Sequence, residues 1–261
     1  MFIRGFYNAA QSMIVKQREL NTVANNIANV NTVGFRKDEA ILNTFMDELI
    51  WVQRRRATHD GTFQQTYVDE LHTYLEQGSL EFTESRFDLA IWGNVYFNIT
   101  DRNNNTFQTR AGQFELDEEG YLILGSARRI QGENGWRGGR VQGQNGDIFI
   151  GHDDFVVRAD GAILHGETGE LIDDLLLTYI PEDANVRKVS DNLFIYDGDA
   201  VMPEGERFDI IQGAFEKSNV DPNKEMTKAL ELQRLFEASS AALKAFDMIN
   251  SKNADMARLN R

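Results

Sequence analysis

Heptad-spaced residues at both ends of the chain constrain its fold more than any other feature. Near the N-terminus the spacings alternate between four and three residues, and the members are Phe6, Ala10, Met13, Gln17, Leu20, Ala24 and Ile27. Near the C-terminus the same spacings recur in Leu232, Leu235, Ser239, Ala242, Phe246, Ile249, Asn253 and Met256. This spacing places each set on one helical face and is typical of coiled coils. We therefore predict long terminal helices that form a coiled-coil core. A single amphipathic helix packed on its own domain is the alternative at the N-terminus.

A helix start signal precedes the C-terminal set. Asp221 is placed to act as the N-cap and Pro222 as the first helical residue, because an aspartate side chain satisfies free backbone N–H groups and proline has none to satisfy. The heptad pattern continues from there, so we predict a helix over residues 222–256. At about 1.5 Å per residue this helix is roughly 50 Å long.

Between the two ends the periodicity changes from helix to strand. Short apolar or alternating runs, separated by Gly, Asn and Asp, indicate a central all-β domain of short strands and hairpins. One pattern of Phe, Gly and apolar positions occurs at residues 114–122 and again at residues 155–163. Each copy predicts a β-hairpin, with residues 117–120 and 158–161 as the turns. Residues 45–82 fit either an extended hairpin or a short helix followed by a strand. The predicted fold class is α+β.

The acidic charge of the chain is concentrated in its middle. Of the net charge of -14, residues 46–215 hold -17, while residues 1–45 carry +2 and residues 216–261 carry +1. An acidic centre repels phosphate groups, which argues against nucleic acid as a partner. Near-neutral ends approach other chains without strong repulsion. No apolar run reaches the length of about 20 residues that a membrane span needs, so we expect no membrane insertion. The N-terminus lacks the apolar region of a cleaved secretory signal.

No group of residues has the spacing of a catalytic, cofactor or metal site, and we predict none. The 41 acidic residues make carboxylate pairs inevitable, and the four histidines, among them His152 beside Asp153, lack metal-ligand spacing. The absence of cysteine excludes thiolate sites and disulfides. The glycine-rich residues 132–146 lack the Lys-Ser/Thr pair of a phosphate loop. A basic patch around Trp136, either a solvated loop or a contact for a neighbouring acidic surface, comprises Arg128, Arg129, Arg137 and Arg140.

Four stretches of the sequence resemble the signature patterns of one protein family. The first pattern comprises Ala24, Asn25, Asn26, Ile27, Ala28, Asn29, Thr32, Gly34, Phe35 and Arg36. The second comprises Gly78, Leu80, Thr83, Asp88, Leu89, Ala90, Ile91, Gly93, Tyr96 and Phe97. The third comprises Thr109, Arg110, Gly112, Phe114, Leu116, Gly120 and Leu122. The fourth comprises Gly213, Glu216, Ser218, Asn219, Val220, Asp221, Glu225, Met226, Leu230, Gln233, Arg234, Phe236, Glu237 and Ala238. In kind and order these stretches resemble the flagellar axial proteins, and among them the flagellar basal-body rod protein family.

The resemblance implies a structural subunit that polymerises into a helical tube, transmits torque from motor to hook and provides the export channel. A hook or junction component of the same axial structure is one alternative, and a soluble acidic carbohydrate-active enzyme with a coiled-coil handle is another. The implied partners are further copies of the chain, other flagellar rod and hook proteins, and the flagellar type III export apparatus. The implied location is the flagellar basal body, reached by export without signal-peptide cleavage.

The pattern and the resemblance together predict a division of the chain into four regions. Residues 1–44 hold the N-terminal core helix and its Asn-rich turn, residues 45–82 an extended hairpin or linker, residues 83–215 the central β domain, and residues 216–261 the C-terminal core helix. We expect a turn with positive φ at Gly34 to end the N-terminal helix. The residues expected at subunit interfaces are Phe6, Met13, Leu20, Asn25, Asn26, Ile27, Asn29, Gly34, Phe35, Asn219, Leu232, Leu235, Phe246 and Ile249.

Overall fold

The structure, a computed structural model, divides into two compact units. It describes residues 2–44, 66–101, 103–125, 139–151, 154–198 and 207–259. The first unit, called the helical unit below, comprises Met1–Ala28, Asp38–His72 and Asp221–Arg261. The second, called the β unit, comprises Asn29–Lys37 and Thr73–Val220. The predicted α+β class is confirmed, because the centre of the chain is mostly strand and each end carries a long helix.

The helical unit contains both long helices. Helix α1 spans Phe2–Ala28 and helix α2 spans Pro222–Leu259, so the predicted C-terminal helix is confirmed and extends slightly further. Strands β1, Asp38–Thr44, and β2, Thr66–Thr73, pair with each other. Of the region in which the sequence left a hairpin or a helix and strand open, residues 45–65 lie outside the described residues.

Helices α1 and α2 pack against each other in antiparallel directions. The Ser12 hydroxyl lies 3.2 Å from the Ser239 hydroxyl. The Asn26 amide donates to the Glu225 carboxylate, also at 3.2 Å. Residues near the end of α1 therefore lie beside residues near the start of α2, and each helix buries one face against the other.

The covered face of α1 differs in part from the predicted seam. Val15 and Val23 are buried although neither belongs to the seam, whereas the seam members Gln17 and Ala24 are exposed. The apolar residues of α1 occupy more than one stripe, so two neighbouring heptad frames fit the spacing. Only the position of the partner helix decides which frame is covered.

Helix α2 shows the same division of its predicted seam. Leu232 is buried, but Leu235, Ala242 and Ile249 are exposed in the single chain. The side chains of two further seam members lie outside the described part, namely Asn253 and Met256. In the helix pair, some of the predicted seam residues of α2 are thus buried and others lie at the surface.

Asp221 caps α2, as its position in the sequence predicts. Its carboxylate accepts hydrogen bonds from the backbone N–H groups of Asn223 at 3.0 Å and Lys224 at 3.3 Å. We expect Asp221→Ala to lower the free energy of unfolding of the helical unit by about 1 kcal/mol, because both N–H groups lose their acceptor. Urea unfolding followed by helical circular dichroism measures the loss. Asp221→Asn is the control, since asparagine caps about as well as aspartate, and equal losses for both variants would contradict the cap assignment.

The β unit consists of short strands, as predicted. Their bounds in chain order are β3 Leu80–Phe82, β4 Leu89–Trp92, β5 Val95–Thr100, β6 Thr106–Thr109, β7 Phe114–Leu116, β8 Leu122–Leu124, β9 Arg140–Gly143, β10 Gly146–Asp147, β11 Phe155–Val157, β12 Ala162–His165, β13 Leu171–Asp174, β14 Leu177–Tyr179, β15 Arg187–Ser190, β16 Leu193–Ile195, β17 Asp209–Gln212 and β18 Ala214–Glu216. Among the described residues, nine strands form the main sheet in the order β15-β16-β6-β5-β9-β8-β7, with β10 on β9 and β14 on β5. A smaller sheet has the order β11-β12-β13, β17 pairs with β4, and β18 pairs with β3.

Both predicted hairpins are confirmed. Strand β7 pairs with β8, with Phe114 opposite Leu124, and β11 pairs with β12, with Phe155 opposite His165. Backbone hydrogen bonds of 3.0 Å close the two predicted turns, from residue 120 to residue 117 and from residue 161 to residue 158. The repeated pattern therefore encodes the same local structure twice.

The core of the β unit comes from the inward positions of these strands. Phe97 and Ile99 of β5 and Leu122 and Leu124 of β8 are fully buried in one continuous cluster. Phe155 joins it from the smaller sheet. Burying several large apolar side chains in this way supplies the main stabilisation of such a unit. In the part of the chain that is described, neither helix is both long and apolar enough to cross a membrane.

Candidate subunit interface

Asn26 shows what one of the clustered asparagines does. Its side chain is 1% exposed. The amide oxygen accepts the Asp38 backbone N–H at 3.1 Å, and the amide nitrogen donates to the Asp38 carbonyl at 2.8 Å. The same nitrogen donates to Glu225 in the first turn of α2, where the helix dipole also favours a carboxylate. An amide carries both donors and an acceptor, so one side chain joins the end of α1 to the starts of β1 and α2.

The residues that follow α1 form a turn. The Thr32 backbone N–H donates to the Asn29 carbonyl at 3.1 Å, and the Thr32 hydroxyl donates to the Asn29 side-chain oxygen at 3.0 Å. Asn29 is half-buried, whereas Asn25 on the last turn of α1 is exposed. Of the asparagines in this stretch that we predicted at the interface, Asn25 presents the most surface to a neighbouring molecule.

Gly34 lies against another segment of the β unit. Its φ is 69°, which confirms the predicted positive value. However, α1 ends at Ala28, so Gly34 does not terminate that helix. A Cβ atom at this position would lie 2.3 Å from the Ala111 nitrogen and 2.6 Å from the Arg110 carbonyl carbon. Glycine is needed here for close backbone approach as well as for its φ.

Phe35 lies inside the β unit and does not reach its surface. Its side chain is fully buried, although the sequence predicted a subunit contact there. The Lys188 ammonium group lies over the Phe35 ring, 3.7 Å from its centroid, and donates to the Arg36 carbonyl at 2.8 Å. The ring therefore packs inside the β unit and fixes residues 34–37 there.

A buried ion triad holds this segment in place. Glu216 and Arg36 have fully buried side chains and are joined at 2.5 Å, while Arg110, 1% exposed, binds the other Glu216 oxygen at 3.1 Å. The Gly78 backbone N–H donates to Glu216 at 2.7 Å. Arg110 also donates to the backbone carbonyls of residues 91 and 93 and lies over the Tyr96 ring. Charge-assisted hydrogen bonds of this kind are among the strongest in proteins.

The triad contains two cations and one anion. Burial lowers the pKa of Arg36, but the adjacent Glu216 carboxylate and Tyr96 together outweigh burial and raise that pKa above its ordinary value. For Arg110, burial prevails over the attraction of Glu216 and, helped by repulsion from Arg36, lowers the pKa. Among the described residues, Arg36 Nε, Arg36 Nη2 and Arg110 Nε have no hydrogen-bond partner. Glu216 is thus the group that compensates both buried charges.

Asn219 ties together two segments of the β unit. Its side-chain oxygen accepts the Lys37 backbone N–H at 2.8 Å, and its nitrogen donates to the carbonyls of Tyr74 and Glu76 at 3.0 Å each. The Tyr74 backbone N–H donates to the Lys37 carbonyl at 2.9 Å. This predicted interface residue therefore supports the single chain from within.

Glu216 and Arg110 both belong to the family patterns, but the sequence predicted no role for either residue. The neighbouring residues in sequence did indicate a role, because Glu216 and Arg110 each stand in a stretch that contains small, aromatic or strand-forming residues. These stretches are "GAFEKSN" and "TRAGQF". Such a position indicates a buried charge that needs a partner. The described residues contain no group of three or more His, Asp or Glu placed to hold a metal ion. His152 and Asp153 lie outside the described residues.

The helices carry exposed apolar surface that is available for a subunit interface. Leu235 and Ile249 on α2 are 43% and 41% exposed. Tyr7 and Ile14, one heptad apart on α1, are also exposed. Five further apolar residues that we predicted at the interface are half-buried on the helices, namely Phe6, Met13, Leu20, Ile27 and Phe246. Apolar side chains in this number on a surface favour contact with another molecule.

Three parts of the chain match known protein families. Residues 6–36 match the family described as flagella basal body rod protein. Residues 90–192 match the D1 domain of the flagellar hook protein FlgE/F/G, and residues 211–255 match the C-terminal part of the flagellar basal body rod protein FlgEFG. The matches cover both helices and most of the β unit in chain order.

Whole-chain relatives carry names from the same structure. The flagellar basal-body rod protein FlgF of Rhizobium meliloti is 32% identical over 250 residues, which is 92% of each chain. The rod protein FlgG of Caulobacter vibrioides is 28% identical over 92% of this chain and 94% of its own length. FlgG of Bacillus subtilis is 28% identical over 98% of this chain and all of its own length. The enzyme alternative finds no support in these relatives. This chain therefore belongs to the flagellar basal-body rod protein family, whose members are structural components and not enzymes.

Proposed function

We propose that the chain is a subunit of the bacterial flagellar rod that polymerises into a helical tube through α1 and α2. The observation that carries this proposal is the exposed apolar edge of the helix pair, with Tyr7 and Ile14 on α1 and Leu235 and Ile249 on α2. Leaving such side chains in water costs free energy, which is recovered when helices of other copies cover them. The coiled-coil core predicted from the sequence then forms between subunits.

The type of contact supports an open helical polymer such as a tube. The exposed edge of α1 and that of α2 differ in sequence, so a contact between them is heterologous and repeats from copy to copy. In this proposal the tube transmits torque from motor to hook, and its lumen is the export channel. Helices α1 and α2 form its core, and residues 83–215 form most of the β unit.

Family membership supports the proposed partners and location. The chain assembles with itself and with other flagellar rod and hook proteins, and it reaches the basal body through the flagellar type III export apparatus without signal-peptide cleavage. It binds no nucleic acid and does not insert into a membrane. A hook or junction position is the second candidate, favoured by the match of residues 90–192 to a hook-protein domain. Electron microscopy of basal bodies that carry a labelled chain separates the two positions.

Polymerisation of the purified chain tests the proposed seam. We expect Leu235→Asp and Ile249→Asp each to raise the protein concentration needed for polymers by about 100-fold or more. An unpaired carboxylate in a dry helix contact costs about 3 kcal/mol or more, and every 1.4 kcal/mol is tenfold. Light scattering over a concentration series measures the threshold, and electron microscopy shows the particles.

Gln233→Asp is the matched control for both variants. Gln233 is exposed on the same helix, but it lies about 160° around the axis from Leu235 and from Ile249 at 3.6 residues per turn. The control adds the same charge and is expected to polymerise like the unaltered chain. A discrete compact species at every concentration of the unaltered chain would overturn the proposed function, and normal polymers from both seam variants would overturn the proposed seam.

A further inference from the structure

An exposed aromatic ring is held in a fixed position on the β unit. Phe149 is 53% exposed, although its neighbours Ile148 and Ile150 are buried in the core. Its ring packs edge-on against Tyr121 with centroids 5.3 Å apart. The Phe149 ring also lies against the backbone at Gly120 and Gly151, where an added Cβ would come within 3.1 Å and 3.2 Å of ring atoms. The ring is therefore presented to the surface with little freedom to fold away.

Carboxylates bind the arginine that lies over the adjoining Tyr121 ring. The Arg140 guanidinium lies 3.9 Å from the Tyr121 ring centroid and pairs with Asp117 at 3.0 Å, with Asp147 at 3.4 Å and with Glu119. Glu118 in the same turn is exposed. Four carboxylates against one guanidinium leave this surface with a charge of -3. A fixed aromatic centre with a charged rim is the composition of a protein contact site, and the sign of the rim selects a cationic partner.

The chain itself contains a segment of complementary composition. Residues 126–138 include three arginines against one glutamate, a charge of +2, together with the apolar Ile130 and Trp136. This segment lies within the sequence range of the β unit, as Phe149 does. A contact between the same units of two copies can therefore repeat along a polymer.

We infer that the surface formed by Phe149, Tyr121 and their acidic rim docks the arginine-rich residues 126–138 of a second copy of this chain. The inference rests on the proposed function, since it requires that copies polymerise. Trp136 and Ile130 meet the Phe149 ring, and the arginines pair with the carboxylates that Arg140 leaves uncompensated. The contact is separate from the helical seam and adds specificity to assembly, because like-charged surfaces of other proteins are repelled.

Site-specific photo-cross-linking tests this contact. We expect Phe149→p-benzoylphenylalanine, in polymers mixed from light-nitrogen and heavy-nitrogen copies, to form covalent dimers on irradiation. Peptide mass spectrometry is expected to show residue 149 joined to residues 126–138, with hybrid isotope pairs as proof of contact between copies. Val156→p-benzoylphenylalanine is the control, because Val156 is similarly exposed, at 47%, on β11, and no link to residues 126–138 is expected from it.

Charge reversal adds a second measurement. Arg128→Glu combined with Arg137→Glu is expected to lower the dimer yield about tenfold, since like charges then face each other, and Glu118→Arg on that background is expected to restore part of it.

Links confined to one chain, links to the other arginine-rich segment at residues 51–56, or no links at residue 149 would each overturn the inference. Light scattering of the same samples keeps the two proposals apart. Polymers without the link overturn only the docking surface, whereas absence of polymers overturns the proposed function as well.

Discussion

Glu216→Gln is expected to lower the free energy of unfolding of the β unit by about 3–5 kcal/mol, a large part of the stability of a typical domain. The two side chains have nearly the same shape, and the glutamine oxygen can still accept the Gly78 backbone N–H. The change removes the one anion of the triad and leaves Arg36 and Arg110 as two uncompensated buried cations. The loss therefore measures charge compensation and not packing.

Two further variants sharpen this test. Glu81→Gln is the matched control, because Glu81 belongs to the neighbouring strand β3 and forms an exposed pair with Lys217, for which about 0–1 kcal/mol is expected. Arg110→Met is expected to cost less than Glu216→Gln, since it leaves one buried cation with one buried anion. Urea unfolding followed by circular dichroism measures all three. Hydrogen exchange of residues 73–79, which contain the Gly78 N–H, shows whether the triad region opens first. A loss below about 1 kcal/mol for Glu216→Gln would contradict the assigned role.

The sequence predicted the elements that depend on local signals. The start of α2 follows from Asp221 and Pro222, and the two hairpins follow from turn residues at fixed offsets, so each is encoded within a few positions. Helix lengths and strand periodicity are likewise local properties. The fold class and the broad order of elements could therefore be predicted from the sequence.

The residues that organise the candidate interface depend on contacts between distant positions. Arg36 and Glu216 are 180 residues apart in sequence, and Arg110 and Glu216 are 106 apart, so no local pattern pairs them. The covered face of α1 could not be predicted for a related reason. Val15 and Leu20 fall in neighbouring stripes with similar apolar character, and tertiary packing selects between them. The family patterns contain Asn26, Phe35 and Asn219, and the contacts that the structure shows for these residues lie within one chain.

The position of Gly34 changes what its substitution is expected to do. A glycine that ended α1 would matter chiefly for the direction of the chain and for assembly. In the structure Gly34 belongs to the β unit, its backbone N–H donates to the Glu216 carbonyl at 2.9 Å, and it lies against residues 110 and 111. A side chain here pushes the segment that carries Arg36 away from residues 110 and 111, and so strains the ion pair between Arg36 and Glu216. Loss of stability of the β unit is therefore expected before any effect on polymers.

Gly34→Ala is expected to lower the free energy of unfolding of the β unit by about 3 kcal/mol or more. About 1–2 kcal/mol comes from placing an L-residue at positive φ, and the rest comes from a Cβ 2.3 Å from the Ala111 nitrogen, which rigid backbone cannot relieve cheaply. Gly169→Ala is the matched control, because Gly169 has a φ of 68° against 69° for Gly34 and no heavy atom within 4 Å of an added Cβ. The control carries the same backbone strain without the clash. Urea unfolding of both variants gives the clash as their difference, expected at about 2 kcal/mol. Equal losses would mean that residues 110 and 111 move aside freely, and that Gly34 is required only for its φ.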